Sequence, residues 1–353
     1  MPNRLLPAIV LSAAAAAVFA AEPAPPVIKV KEKFGFLRGN THVHTDRSGD
    51  CDTPVPDVVK WYEERGYDFI VLTDHNHVTA HDHKGRIKVF AGVEMTFNVA
   101  VSDGLDDFGG ACVHMNGLFA DPAKKGFVRD GEPADRTRLA HYEAELKSVA
   151  ALGGLACVNH PNYTFAADAA TLLRLTGKGL RFFEVYNSAD KSLNDGAAGR
   201  PSTEKIWDAV LTGGGELYGL VSDDTHNYYD AAELLKAGFK PRIGDLAWIM
   251  VRARTADEAE LRKALLAGDF YGSTGVTLKK LDVSPAAMEI EVAPEPGRTY
   301  VLRFIGRGGK VLAEKEGVAA RYPIAGDEGY VRAMVIDSAG RKAWIQPTFV
   351  RRK

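Results

Sequence analysis

The chain has 353 residues, a formal charge of -2, 46% apolar residues and three cysteines. That is enough for one large domain and a small one, and near-neutral charge without a basic stripe argues against a nucleic-acid surface. Cys51, Cys112 and Cys157 cannot make a disulfide framework, and beyond the N-terminus no apolar run is long enough to span a bilayer.

In chain order, residues 1–20 read as a secretory signal peptide: Arg4, an apolar stretch from Leu5, and small residues at Val18-Phe19-Ala20. Cleavage after Ala20 places the mature protein in the periplasm or outside the cell, with no membrane anchor left. Residues 21–32 form a Pro-rich linker opening AEPAPPV. The stretch from Asn40 to His77 then reads as strand, helix, parallel strand. His42 and His44 lie on one face of the first strand, since side chains alternate with period two. Asp57 to Gly66 is the helix, and Phe69-Ile-Val-Leu leads to Thr73, Asp74 and His75 at the tip of the second strand.

Short apolar runs recur after that, each followed by polar chemistry: VFAGVEMT, ACVHMNGLF, GLACVNHPN, RFFEVYNS, LYGLVSDDTHN and LAWIMVRA. Helical spacing over Asp135 to Leu152, Ser202 to Leu211 and Ala256 to Leu266 separates several of them. Strands alternating with helices, with polar residues at strand C-terminal ends, predict an α/β barrel over residues 33–275. A doubly wound sheet would need a Gly-rich phosphate fingerprint after its first strand, and there is none. Residues 276–353 change character to short alternating segments split by Pro and Gly, which predicts a small all-β sandwich of the immunoglobulin-like sort.

The polar residues at strand ends are His42, His44, Asp50, His75, Glu94, His114, His160, Asp224 and His226, six of the chain's ten histidines among them. Imidazole and carboxylate without thiolate suit zinc, manganese or iron, and this many ligands exceed what one ion can use. Two or three divalent ions are expected, with Glu94 bridging, and Glu94, Asp224 and His226 as the residues nearest the chemistry. Asp74 is expected to hydrogen-bond a ligand histidine, and Glu184 to make a structural hydrogen bond. Asp223 is read as a helper or a surface carboxylate. His77, His81 and His83 read as a solvated loop over the barrel mouth. Cys51 has the chemistry of a soft ligand, but burial as a thiol is expected for Cys112 and Cys157. Arg47, Arg86 and Arg242 are candidates for gripping a phosphate oxygen.

The ordered motifs HVH, TDHN, GVEMT, CVHMNGLF, NHP and DDTHN, over Phe36 to Gly275, resemble the PHP (polymerase and histidinol phosphatase) superfamily of metal-dependent hydrolases. The resemblance implies a distorted seven-stranded (β/α) barrel with a trinuclear site. His42, His44, Glu94 and Asp224 would hold one metal, Glu94, His114 and His160 a second, and His75 and His226 the third. The family commonly writes HxHTxxSDG, whereas Ser48-Gly49-Asp50 puts the aspartate one place late. Asp50 must then reach the third metal by a different path, with Asp52 as substitute. FYGSTG (Phe270 to Gly275) and RKAWIQPTFV (Arg341 to Val350) resemble a narrower group, the secreted carbaryl-hydrolase-like enzymes.

Together these readings predict an exported hydrolase in which metal-bound hydroxide attacks a small-molecule phosphoester. A carbamate, amide or ester hydrolase using the same site is the alternative chemistry, and a secreted binding protein with a barrel scaffold is the non-enzymatic one. No GxSxG elbow is present to support serine chemistry.

Overall fold

The computed structural model describes residues 35–103, 110–124 and 133–350, so the expected signal peptide and linker lie outside the described residues. Strand β1 (Gly35–Val43) becomes fully buried toward its C-terminal end. Helix α1 (Val55–Glu64) follows, with a proline in its first turn, where the missing N–H costs no helical hydrogen bond. It buries Val55, Val58, Val59, Trp61 and Tyr62. Strand β2 (Phe69–Leu72) is buried throughout and pairs parallel to β1, with Gly39 opposite Phe69. Gly39 is required there, because an added Cβ would collide with the Phe69 ring.

Strand β3 (Lys88–Val99) continues the parallel pattern, β4 (Ala111–Leu118) reverses direction, and β5 (Leu155–Val158) returns to the direction of β1 to β3. β4 runs antiparallel to both neighbours. Cross-strand pairs Met95–Met115 and Phe97–Val113 bury matching apolar side chains, which fixes the β3–β4 register. Regular β/α alternation therefore fails at this point. Helices α2 (Arg138–Ala151), α3 (Ala169–Thr176) and α4 (Thr203–Thr212) lead into β5, β6 (Phe182–Asn187) and β7 (Tyr218–Ser222), whose pairings are parallel again. The last strand comes back to the first: Val43 bridges Thr225, and the His44 N–H donates to the Thr225 carbonyl. β1 to β7 thus curve around a common interior. Helix α5 (Ala231–Lys236) buries none of its side chains.

β8 (Trp248–Ala253) pairs antiparallel with β1, and β9 (Phe270–Ser273) with β8. The same sheet runs on through β16 (Lys342–Phe349), β15 (Tyr330–Asp337), β12 (Tyr300–Gly306) and β13 (Lys310–Glu316), making thirteen strands. Against it packs a three-stranded sheet of β10 (Leu278–Ser284), β11 (Ala287–Val292) and β14 (Ala319–Pro323). Period-two alternation divides β15 and β16 between two cores. Val331, Ala333, Val335 and Ile345 face the small sheet, while Tyr330, Met334 and Trp344 join the core of the large domain. The C-terminal strands are therefore built into the same sheet as β1 to β9. Arg332, fully buried, forks onto both carboxylate oxygens of Asp208 on α4 at 2.7 Å, and the Gln346 amide bonds both the N–H and the carbonyl of Gly219 on β7.

Candidate metal centre

All nine residues expected as ligands come together where β1, β2, β5 and β7 end and where β3 pairs with β4. His42 Nε2 lies 3.3 Å from Glu94 Oε2 and from Asp224 Oδ1, and His44 Nε2 lies 3.3 and 3.2 Å from the same two oxygens. Glu94 turns its other oxygen to His114 Nδ1 at 3.1 Å and His160 Nε2 at 3.4 Å. Asp50 Oδ2 stands 3.1 Å from His226 Nε2 and 3.5 Å from His75 Nε2. Three sets have donor atoms within 4.8 Å of one another: His42, His44 and Glu94; Glu94, His114 and His160; and His44, Asp50, His75 and His226. Glu94 belongs to two of them, as a bridging carboxylate would. His44 also belongs to two, which the sequence did not suggest.

Two expectations about position need correction. Glu94 and His114 sit in the middle of β3 and β4 rather than at strand ends, because the antiparallel β3–β4 pair carries its side chains across the mouth instead of stopping at it. Asp50 reaches the histidines directly, while Asp52 is exposed, so no substitute is needed.

Nε2 of His42, His44 and His226 and Oε2 of Glu94 are buried and have no hydrogen-bond partner. Leaving such atoms unsatisfied costs about 1–3 kcal/mol each, and their convergence is what a divalent ion would explain. Burial is the largest influence on both Glu94 and Asp224 and would push their carboxyls up. The surrounding histidines outweigh it and hold both well below the usual carboxylate range. Asp50 behaves likewise beside His226 and His75. The residues fit divalent metal.

Part of the chain's backbone strain lies here. Asn76, His160 and Asp224 have φ of 52°, 20° and 55°, in the left-handed region that non-glycine residues avoid. Around the ligands, the His44 Nδ1 meets Ser48 Oγ at 2.6 Å, the His75 Nδ1 meets Thr96 Oγ1 at 2.7 Å, and the Asn159 amide donates to Glu94 Oε1 at 2.8 Å. None of these three supports was singled out in advance. Their only trace is a polar residue near a ligand in sequence or in a buried run.

The other candidates separate cleanly. Asp74 accepts from Thr45 and Thr79 rather than from a histidine, because its carboxylate points into the β1–α1 loop. Asp223 is buried and accepts from Asn40 and from the backbone N–H groups of Asp245, Leu246 and Ala247, so it is a structural helper. Cys51 is a buried thiol, pushed up to about 11 mainly by burial, and stands in none of the three sets. His83 approaches Glu63, and His77 and His81 also stay outside the cluster. Of the arginines, Arg86 is held by Glu63 and Asp68 and Arg47 by Asp46, whereas Arg242 donates to Asp50 at 2.8 Å. Arg242 alone of the three stands at the centre.

Clustered histidines around a shared buried carboxylate, able to hold metal, stand on a mixed α/β scaffold. The PHP domain family model matches residues 40–278, two thirds of the chain, and the chain belongs to that family. Among solved structures it is similar to a two-domain protein from Bacteroides vulgatus described as containing a predicted PHP-like metal-dependent phosphoesterase. The identity is 14%, the match covers 89% of this chain and 96% of that one, and the TM-score is 0.47. A DUF3244 family protein with an immunoglobulin-like β-sandwich fold, also from Bacteroides vulgatus, matches at 13% identity over 22% of this chain and 100% of its own, with a TM-score of 0.18. No protein of curated function matches.

Proposed function

We propose that this chain is a divalent-metal-dependent hydrolase of phosphoesters, exported to the periplasm or beyond. His42, His44, Glu94 and Asp224 would hold one ion, Glu94, His114 and His160 a second, and Asp50, His75 and His226 a third. Zinc, manganese and iron all suit these donors. The observation that carries the reading is the convergence of unpartnered imidazole nitrogens on Glu94 and Asp224. Such ions acidify water and neutralise charge developing on a phosphoryl group.

The chain's own contribution is placement. Glu94 fixes the relative position of two donor sets, and the strained backbone at His160 and Asp224 aims their side chains inward. Arg242, about one third exposed, offers a planar fork beside Asp50 where an anionic oxygen could be received. A neutral carbamate or carboxylic ester has no use for that fork, which favours the phosphoester over the carbonyl reading. A binding protein on a barrel scaffold would leave the buried unpartnered donors unexplained.

The reading extends to the architecture: residues 1–20 as a signal peptide and 21–32 as a linker, 33–275 as a distorted (β/α) barrel of seven strands, and 276–353 as an immunoglobulin-like sandwich, in the manner of the secreted carbaryl-hydrolase-like group. N-terminal sequencing of exported protein should begin at Ala21. The activity is tested by assaying metal-loaded protein on phosphomonoesters, phosphodiesters and carbamates. Phosphoester turnover abolished by chelator is expected, and faster turnover of carbamates would overturn the choice of substrate.

A further inference from the structure

Resting on the metal-centre reading, we infer that Glu184 is a positioning residue that ties two of the proposed metal sites together through one buried carboxylate. Glu184 lies on β6 in the apolar run FFEVYN and is 1% exposed. Among the described residues no lysine or arginine pairs with it. Its donors come instead from the metal centre and the residues packed around it. Oε1 faces His42 Nδ1 at 2.7 Å and accepts from Ser222 Oγ. Oε2 accepts from the His160 backbone N–H at 2.7 Å and from Asn187 Nδ2 at 2.9 Å. The same Asn187 amide reaches Asp224 Oδ2 at 3.3 Å.

The consequence for His42 follows from imidazole chemistry. A neutral ring carries one proton, and a carboxylate at Nδ1 keeps it there. Nε2 then presents its lone pair toward Glu94 and Asp224, as a ligand must. For His160 the effect is on the main chain. Its N–H is anchored by Glu184 while its φ of 20° is one that free chain would abandon. One side chain thus fixes the tautomer of a ligand in the first set and the backbone of a ligand in the second.

Glutamine at this position tests the idea with little change of shape. It offers one acceptor oxygen and one NH2 to donors on both sides. If the oxygen serves His160 and Asn187, the NH2 faces His42 Nδ1 and drives the proton to Nε2, where it blocks ligation. If the amide flips, NH2 opposes the His160 N–H and the Asn187 amide. Neither arrangement satisfies both metal sets.

The experiment is zinc titration of the full chain against a chromophoric chelator, with 1H–15N spectra of the 15N-histidine-labelled, zinc-loaded protein. Wild type should bind at least two zinc ions and show a slowly exchanging Nδ1–H proton on His42. Glu184→Gln should bind zinc at least tenfold more weakly and lose that resonance while its circular dichroism is unchanged. Wild-type zinc affinity in Glu184→Gln overturns the role of Glu184 and leaves the metal centre standing. Absence of zinc binding by wild type overturns both. If Glu184→Gln does not fold, the wild-type spectrum decides: a zinc-loaded protein without a protected His42 Nδ1–H contradicts the inference.

Discussion

Arg242 Nη2 donates to Asp50 Oδ2 at 2.8 Å across 192 residues of chain, and that oxygen also stands 3.1 Å from His226 Nε2. A permanent cation, a carboxylate and two imidazoles therefore share one corner of the mouth. The carboxylate suits a metal and the guanidinium suits a substrate oxyanion.

Removing the guanidinium separates these roles. Arg242→Ala is expected to raise KM for a phosphomonoester at least about tenfold, ~1.4 kcal/mol, and to change a neutral ester by less than about twofold. Arg242→Lys should recover only part of the loss, since an ammonium cannot reproduce the bidentate fork. Steady-state kinetics on the two substrates check this, and equal losses on both would remove Arg242 from substrate binding.

Asp50 and His42 should behave differently. Asp50→Ala is expected to weaken the third ion alone and to depress phosphoester turnover at least about tenfold, ~1.4 kcal/mol of transition-state stabilisation. His42→Ala should cost an ion from the first set and most of the activity. Metal counts paired with kinetics on both variants check the distinction. Unchanged phosphoester kinetics in an Asp50→Ala enzyme that has lost an ion would favour a carbonyl substrate, and an unchanged count would remove Asp50 from the ligand set.

The residues that cluster were legible in the sequence because imidazoles placed after apolar runs are uncommon, and His42, His44, His75 and His226 all follow one. Helices α1, α2, α4 and α6 (Glu258–Leu266) were legible from their spacing. The direction of β4 was not, since an apolar run looks the same whichever way it pairs, and only the Met95–Met115 register reveals it. Helices α3 and α5 are too short, eight and six residues, for a periodic signal. Glu184 stood out as a charge in an apolar strand, yet its partner His42 lies 142 residues away and local sequence carries no trace of it. The Arg332–Asp208 fork was hidden for the same reason.

That fork gives a stability prediction. Arg332 is 1% exposed and bound by Asp208 through two 2.7 Å contacts, and Tyr330 Oη donates to Asp208 Oδ1 at 2.9 Å. Asp208→Ala leaves the buried guanidinium only the Glu204 carboxylate 3.7 Å away and should cost about 3 kcal/mol, read by urea unfolding. Truncation after Gly275 removes this pair, the β16 partner of β9 and the Gln346 bonds to Gly219. The truncated chain is expected not to fold, and a truncated barrel with native circular dichroism would contradict that.

Glu145 on α2 should give stability a pH dependence. Both its oxygens are buried without a partner, and burial, helped by the charge of Glu94, pushes its carboxyl well above the ordinary range. The native state therefore keeps a proton that the unfolded chain releases above pH ~4.3. This contribution is fully favourable below that pH and is lost as pH rises toward the folded value. Glu145→Gln should match wild type at pH 4 and exceed it at pH 7 in urea unfolding. Parallel stability profiles for the two proteins would show that Glu145 is not held protonated.

Glu94 is the residue on which the proposed centre depends, since it belongs to two of the three donor sets and is 1% exposed. The most direct test is elemental metal analysis of wild type and Glu94→Gln purified without chelator, with phosphoester turnover measured on the same samples. Wild type should carry at least two divalent transition ions per chain. Glu94→Gln should lose metal and at least about a thousandfold in turnover, ~4 kcal/mol. Full metal content and full activity in Glu94→Gln would contradict a metal centre bridged by this carboxylate.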